Sequence, residues 1–318
     1  MLCRKPYGGE PLFLRNIIKI IKELDKREIK IEGIFTNGTL LTEEIVDRIE
    51  KIQQIPFFIS LNGPMIELHE KFMGKEEVFK KIVENIKMLK RKRIKVYINT
   101  SLTVFVKNKK LIKNFYELVK KLGVYRWRLS RPFPQGNWKE NEKKFGISLR
   151  EELKILGYIF ELWRQDNFPF DLELGHILRY IDGEVRLMDY KMNDYVCDYY
   201  RERITILPNG DVSFCPILIR PPFVIGNLRK QSLKEIWESK KMRHFKDLRI
   251  KDVAKKSCYS CSAFRECGLG CRAFAFFTKG NYKEIDPEAC ATFLSPDYQK
   301  LKEKIYREIK AGREILEY

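Results

Sequence analysis

The sequence predicts an α/β fold, in which strand–helix units build a parallel sheet or barrel and a small cysteine-rich domain follows. Three observations carry the prediction. Strand-like segments begin near residues 30, 56, 93 and 125, and that spacing is the length of a strand plus a right-handed crossover helix. Small or polar residues close each strand: GGEP near 8, TNGT at 36, SLNG at 60, NTSL at 99 and PFPQG at 132. Of the eight cysteines, all but Cys3 lie between positions 197 and 290.

The elements follow in order. After Pro11, apolar residues recur at Leu14, Ile17, Ile18, Ile21 and Leu24, three and four apart as on one helical face. IKIEGIF reads as a strand. A helix opens at Thr42, an N-cap residue followed by Glu43 and Glu44, and PFFIS is the next strand. A long helical region precedes RIKVYINTSL, where Ile94, Val96 and Ile98 alternate. A helix near 109 to 122 leads into YRWRLS. Ser148 and Glu151 form a capping-box pattern before the apolar face Leu149, Leu153, Leu156, Phe160 and Trp163, which predicts a connecting helix. Further on, RITILPNGDVSFC reads as a hairpin that sets Ile204 and Ile206 opposite Val212 and Phe214 and returns Cys215 towards Cys197. The expected domains are 1–140 (strand–helix repeats), 141–190 (helical connector), 191–295 (cysteine-rich, α+β) and 296–318 (a C-terminal helix).

Composition excludes several classes. The chain has 318 residues, 44% of them hydrophobic, enough to bury one large or two modest cores. No stretch approaches the roughly 18 consecutive apolar residues of a membrane span, and no secretory signal stands at the start. A cytoplasmic location without membrane partners is therefore expected. The formal charge of +19 reads as lysine-decorated helix faces, so nucleic acid is not an expected partner. His69, His176 and His244 are scattered and read as surface or core polar residues. No catalytic acid or base stands out.

The cysteines run Cys197, twelve residues to Gly210, four to Cys215, a long gap, then Cys258-x2-Cys261-x5-Cys267-x3-Cys271, and finally Cys290. Disulfides do not suit a cytosolic chain. Structural zinc would need paired C-x2-C knuckles, of which one is present. Seven inert buried thiols at short intervals are implausible. Several thiolates in irregular loops suit cubane iron-sulfur clusters.

This spacing, with GNLRKQSLKEIWES between the cysteine groups, resembles the SPASM domain, the auxiliary-cluster domain of many radical S-adenosylmethionine (SAM) enzymes. The first half is similar to the radical SAM partial barrel from its second strand onwards. The resemblance implies two auxiliary 4Fe-4S clusters, one on Cys197, Cys215 and Cys271, the other on Cys258, Cys261, Cys267 and Cys290. It implies SAM as a cofactor, with Gly8, Gly9, Glu10 and Pro11 around its methionine end and Ser60, Asn62, Thr36 and Asn37 beside it. A peptide or small cofactor-precursor substrate, 5′-deoxyadenosyl radical chemistry and an electron-donor protein follow from the same resemblance. The sequence also departs from the family pattern. The C-x3-C-x2-C triplet that holds the SAM-reducing cluster is absent from it, so the barrel is expected to lack its first strand. Met73 stands where many relatives have Arg, Asn62 where Asp is frequent, and Pro216 where sulfatase-maturing relatives have a catalytic Asp. Two readings follow: a radical SAM enzyme without its front segment, or a silent cluster protein for electron transfer, scaffolding or peptide binding.

Overall fold

The structure is a computed structural model that describes residues 10–316; Cys3, Gly8 and Gly9 lie outside the described residues. The chain divides into two compact units. One unit holds the residues up to Pro132, Gly136–Arg186 and the chain from Pro296 onward, and the other holds Phe133–Gln135 and Leu187–Ser295.

The first unit is built on one sheet. Its strands are β1 (Ile34–Thr36), β2 (Phe57–Ser60), β3 (Val96–Ser101), β4 (Arg126–Ser130), β5 (Asp171–Leu174), β6 (Leu178–Ile181) and β7 (Glu184–Val185). They lie side by side in chain order. The first five run parallel, and β6 and β7 turn back antiparallel. Strict alternation of side chains gives the sheet two unlike faces. Phe57, Ile59, Val96, Ile98, Trp127, Leu129, Leu172 and Leu174 are all buried. This is the helix-covered side, where Phe115 of helix Lys109–Leu122 meets Trp127 edge-on at 5.2 Å. Each such aliphatic burial contributes roughly 1.5–3 kcal/mol.

The other face is half-exposed and resolves into cross-strand rows. Registers Phe35↔Phe58, Phe58↔Tyr97, Tyr97↔Arg126 and Arg126↔Asp171 define a lower row. Phe35 stacks on Phe58 at 4.2 Å, Phe58 lies 4.5 Å from Tyr97, and the Arg126 guanidinium lies over Tyr97. One pleat towards the carboxyl ends runs an upper row, Ser60, Asn99, Arg128, Glu173 and Arg179. The floor of this face is aromatic and its rim is polar.

Several sequence expectations shift in detail. β1 is shorter than IKIEGIF suggested, because the Ile31 amide donates to the Gln53 side chain at 2.6 Å rather than to a neighbouring strand. Leu14 is half-exposed and caps a 3-10 turn, Pro11–Phe13, so that the helix spans Ile17–Asp25. Helix Leu149–Gln165 begins with the Ser148–Glu151 capping box. It crosses from β4 to β5 of the same sheet rather than leading out of it, so residues 141–190 do not form a separate helical connector. Helix Pro296–Leu316 packs on it, with Ile305 and Ile309 buried and ion pairs Arg164–Glu308 at 2.6 Å and Lys304–Glu161 at 2.7 Å.

The second unit has a three-stranded antiparallel sheet of β8 (Thr205–Ile206), β9 (Asp211–Ser213) and β10 (Val224–Asn227), with β9 central. Ile206 pairs with Val212 across the Pro208-Asn209-Gly210 turn. Phe214 stacks on Phe245 at 3.9 Å and meets Tyr200 edge-on at 4.6 Å, which gives the unit a core of rings.

Candidate functional site

At the carboxyl end of β1, Glu10 draws two loops together. Its carboxylate accepts from the Thr36 hydroxyl at 2.5 Å, the Asn37 amide at 2.8 Å and the Leu12 amide at 3.3 Å. Three of its roughly four acceptor positions are thus taken within the chain. Pro11 starts the 3-10 turn that Glu10 caps. Asn37 closes a local turn by accepting from the Thr39 amide and hydroxyl.

Ser60 ends β2 on the half-exposed face. Asn62 is buried, and its side-chain oxygen accepts from the Ser101 amide at 2.8 Å, which ties the ends of β2 and β3. The Asn62 amide donates to His69 Nδ1 at 3.1 Å. His69 is fully buried, and burial pushes its imidazole pKa down to about 4. Because Nδ1 accepts, the proton sits on Nε2, which has no hydrogen-bond partner. His69 therefore acts on the backbone of the Ser60–Asn62 loop, a contact with no signal in residue spacing.

In the second unit the thiols fall into two neighbourhoods. Cys197 and Cys271 are close enough to Cys215 to oppose its ionisation, and all three act on buried Tyr200. Cys267 is coupled to Cys290 and Cys261, and Cys290 to Cys258 and Cys261. Burial pushes the Cys215 and Cys267 thiols up to about 12 and also raises those of Cys271 and Cys290. Backbone N–H groups work the other way: those of Ile217 and Leu218 favour the Cys215 thiolate, those of Ala273 and Phe274 the Cys271 thiolate, and that of Leu269 the Cys267 thiolate. Among the described residues no three His, Cys, Asp or Glu side chains converge on one ion. The four thiolates of a cubane are shared among several irons and stand further apart than ligands of a single ion.

Two further residues organise these thiols. Buried Asp286 accepts from the Cys271 amide at 2.9 Å and caps helix Pro287–Phe293, which carries Cys290. Arg272 is 2% exposed. It donates to the carbonyls of Tyr282, Glu284 and Leu269, and its charge acts on both Cys271 and Cys267. Its Nε–H is buried without an acceptor. The Asp-Pro step before Cys290 could have disclosed the cap, whereas nothing in the spacing marked Arg272.

Residues 7–119 match the radical SAM superfamily and residues 197–262 match the SPASM iron-sulfur cluster-binding domain. The chain is a radical SAM/SPASM protein. It is 27% identical to an AdoMet-dependent heme synthase of Methanosarcina barkeri over 88% of this chain and 80% of that protein. It is 23% identical to the mycofactocin maturase MftC of Mycolicibacterium smegmatis, over 93% and 72%. In fold it matches native anSMEcpe with bound AdoMet and a Cp18Cys peptide, with a TM-score of 0.70, 17% identity, and 97% and 84% of the two chains covered. Streptococcus suis SuiB bound to S-adenosylmethionine follows at 0.68, with 18% identity, over 89% and 64%. The α/β fold class of the radical SAM type, with its cysteine-rich SPASM region, stands as read from the sequence. So does the implication of 4Fe-4S clusters by the two matched domains. No helix among the described residues of this radical SAM/SPASM protein is long and apolar enough to cross a membrane.

The residues present suit the groups the family uses. Buried and half-buried thiols that receive backbone N–H donors, with an orphaned arginine N–H beside them, match what iron-sulfur clusters require: thiolate ligands, hydrogen bonds to sulfur and charge balance. The Glu10–Thr36–Asn37 junction, with Ser60 near it in sequence order of the strands, offers the small acceptors and hydroxyls that an amino-acid ammonium and a ribose would need.

Proposed function

We propose that this chain binds SAM at the carboxyl ends of β1 and β2 and belongs with the enzymes that modify a peptide or a cofactor precursor. The supporting observation is the Glu10 carboxylate, locked to Thr36 and Asn37, which seats Glu10 and Pro11 against the end of the first described strand. Bound SAM supplies 5′-deoxyadenosyl radical chemistry. In this reading Gly8, Gly9, Glu10 and Pro11 hold its methionine end, Ser60, Thr36 and Asn37 line its flank, and Asn62 braces the Ser60 loop from behind. Cys197, Cys215 and Cys271 hold one auxiliary 4Fe-4S cluster, and Cys258, Cys261, Cys267 and Cys290 hold the other. Clusters held by these thiolates would supply one-electron redox chemistry, taking an electron from the product radical and passing it to a partner protein.

A second reading, which suits the lack of a C-x3-C-x2-C triplet within these 318 residues, is a catalytically silent iron-sulfur protein that acts in electron transfer, scaffolding or peptide binding. The test is anaerobic reconstitution of the chain, followed by iron analysis, equilibrium dialysis with SAM and assay for 5′-deoxyadenosine. About eight irons and SAM binding that weakens at least tenfold in Glu10→Ala are expected. Release of 5′-deoxyadenosine supports the enzyme, and binding without release supports the silent relative. Tight zinc in place of iron, or SAM affinity indifferent to Glu10, would sink the proposal.

A further inference from the structure

The upper row of the half-exposed sheet face carries more positive charge than its own carboxylates answer. Arg128, Glu173 and Arg179 are in register on β4, β5 and β6. Arg126, one pleat below, is committed: it donates to Asp171 at 3.1 and 3.3 Å and lies 3.5 Å from Glu173. Arg128 Nε stands 3.9 Å from Glu173, beyond hydrogen-bonding distance, and its side chain is 42% exposed. Arg179 is exposed. Three guanidiniums, of Arg126, Arg128 and Arg179, therefore share two carboxylates, those of Asp171 and Glu173. Nearby, Arg131 and Glu152 form an ion pair of their own.

His176 lies in the β5–β6 turn with its side chain exposed. Desolvation by neighbouring protein and the charges of Arg179, Arg131 and Arg128 lower its imidazole pKa. The Tyr298 hydroxyl donates to the His176 carbonyl at 3.2 Å and so pins the turn.

We propose that Arg128 and Arg179, with Arg131 and His176 beside them, form a carboxylate-binding site at the carboxyl ends of β4–β6. A guanidinium fork matches a carboxylate in two parallel hydrogen bonds. A neutral imidazole can donate a third from Nδ1–H or Nε2–H. Arg128 is two strands from Ser60 and Arg179 four, about 10 and 19 Å at ordinary strand spacing. That range suits a carboxylate on a substrate lying alongside SAM, and at its near end the carboxylate of SAM itself. The proposal deepens the function proposed above, and it rests on that reading only for what presents the carboxylate.

The first test needs neither SAM nor a substrate. With three histidines in the chain, the His176 ring resonances can be assigned through His176→Gln and followed by NMR as succinate is added. A saturable shift is expected, at least tenfold weaker in Arg128→Gln and in Arg179→Gln. The exposed Arg179 variant keeps the test open if Arg128→Gln fails to fold. No saturable shift in the native chain, or one unchanged in both variants, overturns the site and leaves the SAM reading to its own assay. Two further arms identify the source. Iron protoporphyrin IX binding better than its dimethyl ester, with the preference lost in the variants, supports a substrate carboxylate. SAM binding better than decarboxylated SAM, with the same loss, supports the cofactor's.

Discussion

His69 shows how a single side chain can govern a loop it does not enter. It holds the Asn62 amide through Nδ1 and is kept neutral by burial, with a folded pKa of about 4 against about 6.5 in an unfolded chain. Between those values the unfolded chain binds a proton that the folded chain refuses. Stability is therefore unaffected above about pH 6.5 and falls as the pH drops towards 4. Urea denaturation at pH 7 and pH 5 should show His69→Leu losing about 2 kcal/mol less than the native chain between the two. At pH 7 the variant should be less stable by about 1–3 kcal/mol, the cost of an orphaned Asn62 amide, and at pH 5 that deficit should shrink by the same ~2 kcal/mol. An unchanged pH difference would mean that His69 is not held neutral. Such roles were not legible in the sequence, where His69 looked like any polar core residue. Glu10, Thr36 and Asn37 stood out only as members of the GGEP and TNGT loops, and their mutual hydrogen bonds carry no sequence mark, whereas Asp286 and Arg272 act across space on cysteines whose own spacing was the only visible signal.

At the scale of elements, the parallel strands β2, β3 and β4 and the helix caps at Thr42 and Ser148 follow from local pattern and were readable, whereas β5 and the cap at Ser232 were not marked. The segments that carry the thiols are shorter and depend on closer packing. Gly270 has φ +70°, and a Cβ there would stand 2.5 Å from the Ala289 Cβ and 2.6 Å from an Asp286 oxygen. Those are the contacts that seat the Cys271 amide and the helix of Cys290. Gly270→Ala should leave helical circular dichroism near native while iron bound after reconstitution falls by at least half. Gly183→Ala, also at positive φ but in open space, should cost only about 1–2 kcal/mol and leave iron unchanged. Equal iron in both variants would remove Gly270 from the assembly of the cluster cradle.

On the scale of the whole chain, what sequence pattern missed is where distant segments return. The sequence marks residues 296–318 only as a C-terminal helix, which spans Pro296–Leu316. It joins the first unit and covers helix Leu149–Gln165, and the Tyr298 and Tyr306 hydroxyls donate to the carbonyls of His176 and Ile177. Its helical state was expected, but no local feature gives its partner. A chain ending at Ser295 should lose several kcal/mol from the sheet unit, at roughly 1.5–3 kcal/mol for each buried aliphatic side chain. Its cluster content should remain, because the thiols belong to the other unit. Scanning calorimetry with iron analysis checks this, and lost iron with unchanged melting would contradict the division. The upper row of the sheet bears on folding as well as on ligands. Sliding any of β2 to β5 by one residue would turn its polar side chains into the helix-covered layer, and for β4 that means pressing Arg126 and Arg128 into an apolar interior at the cost of unpaired buried charge. The guanidiniums thus keep count for the chain, rejecting misaligned sheets before any ligand arrives.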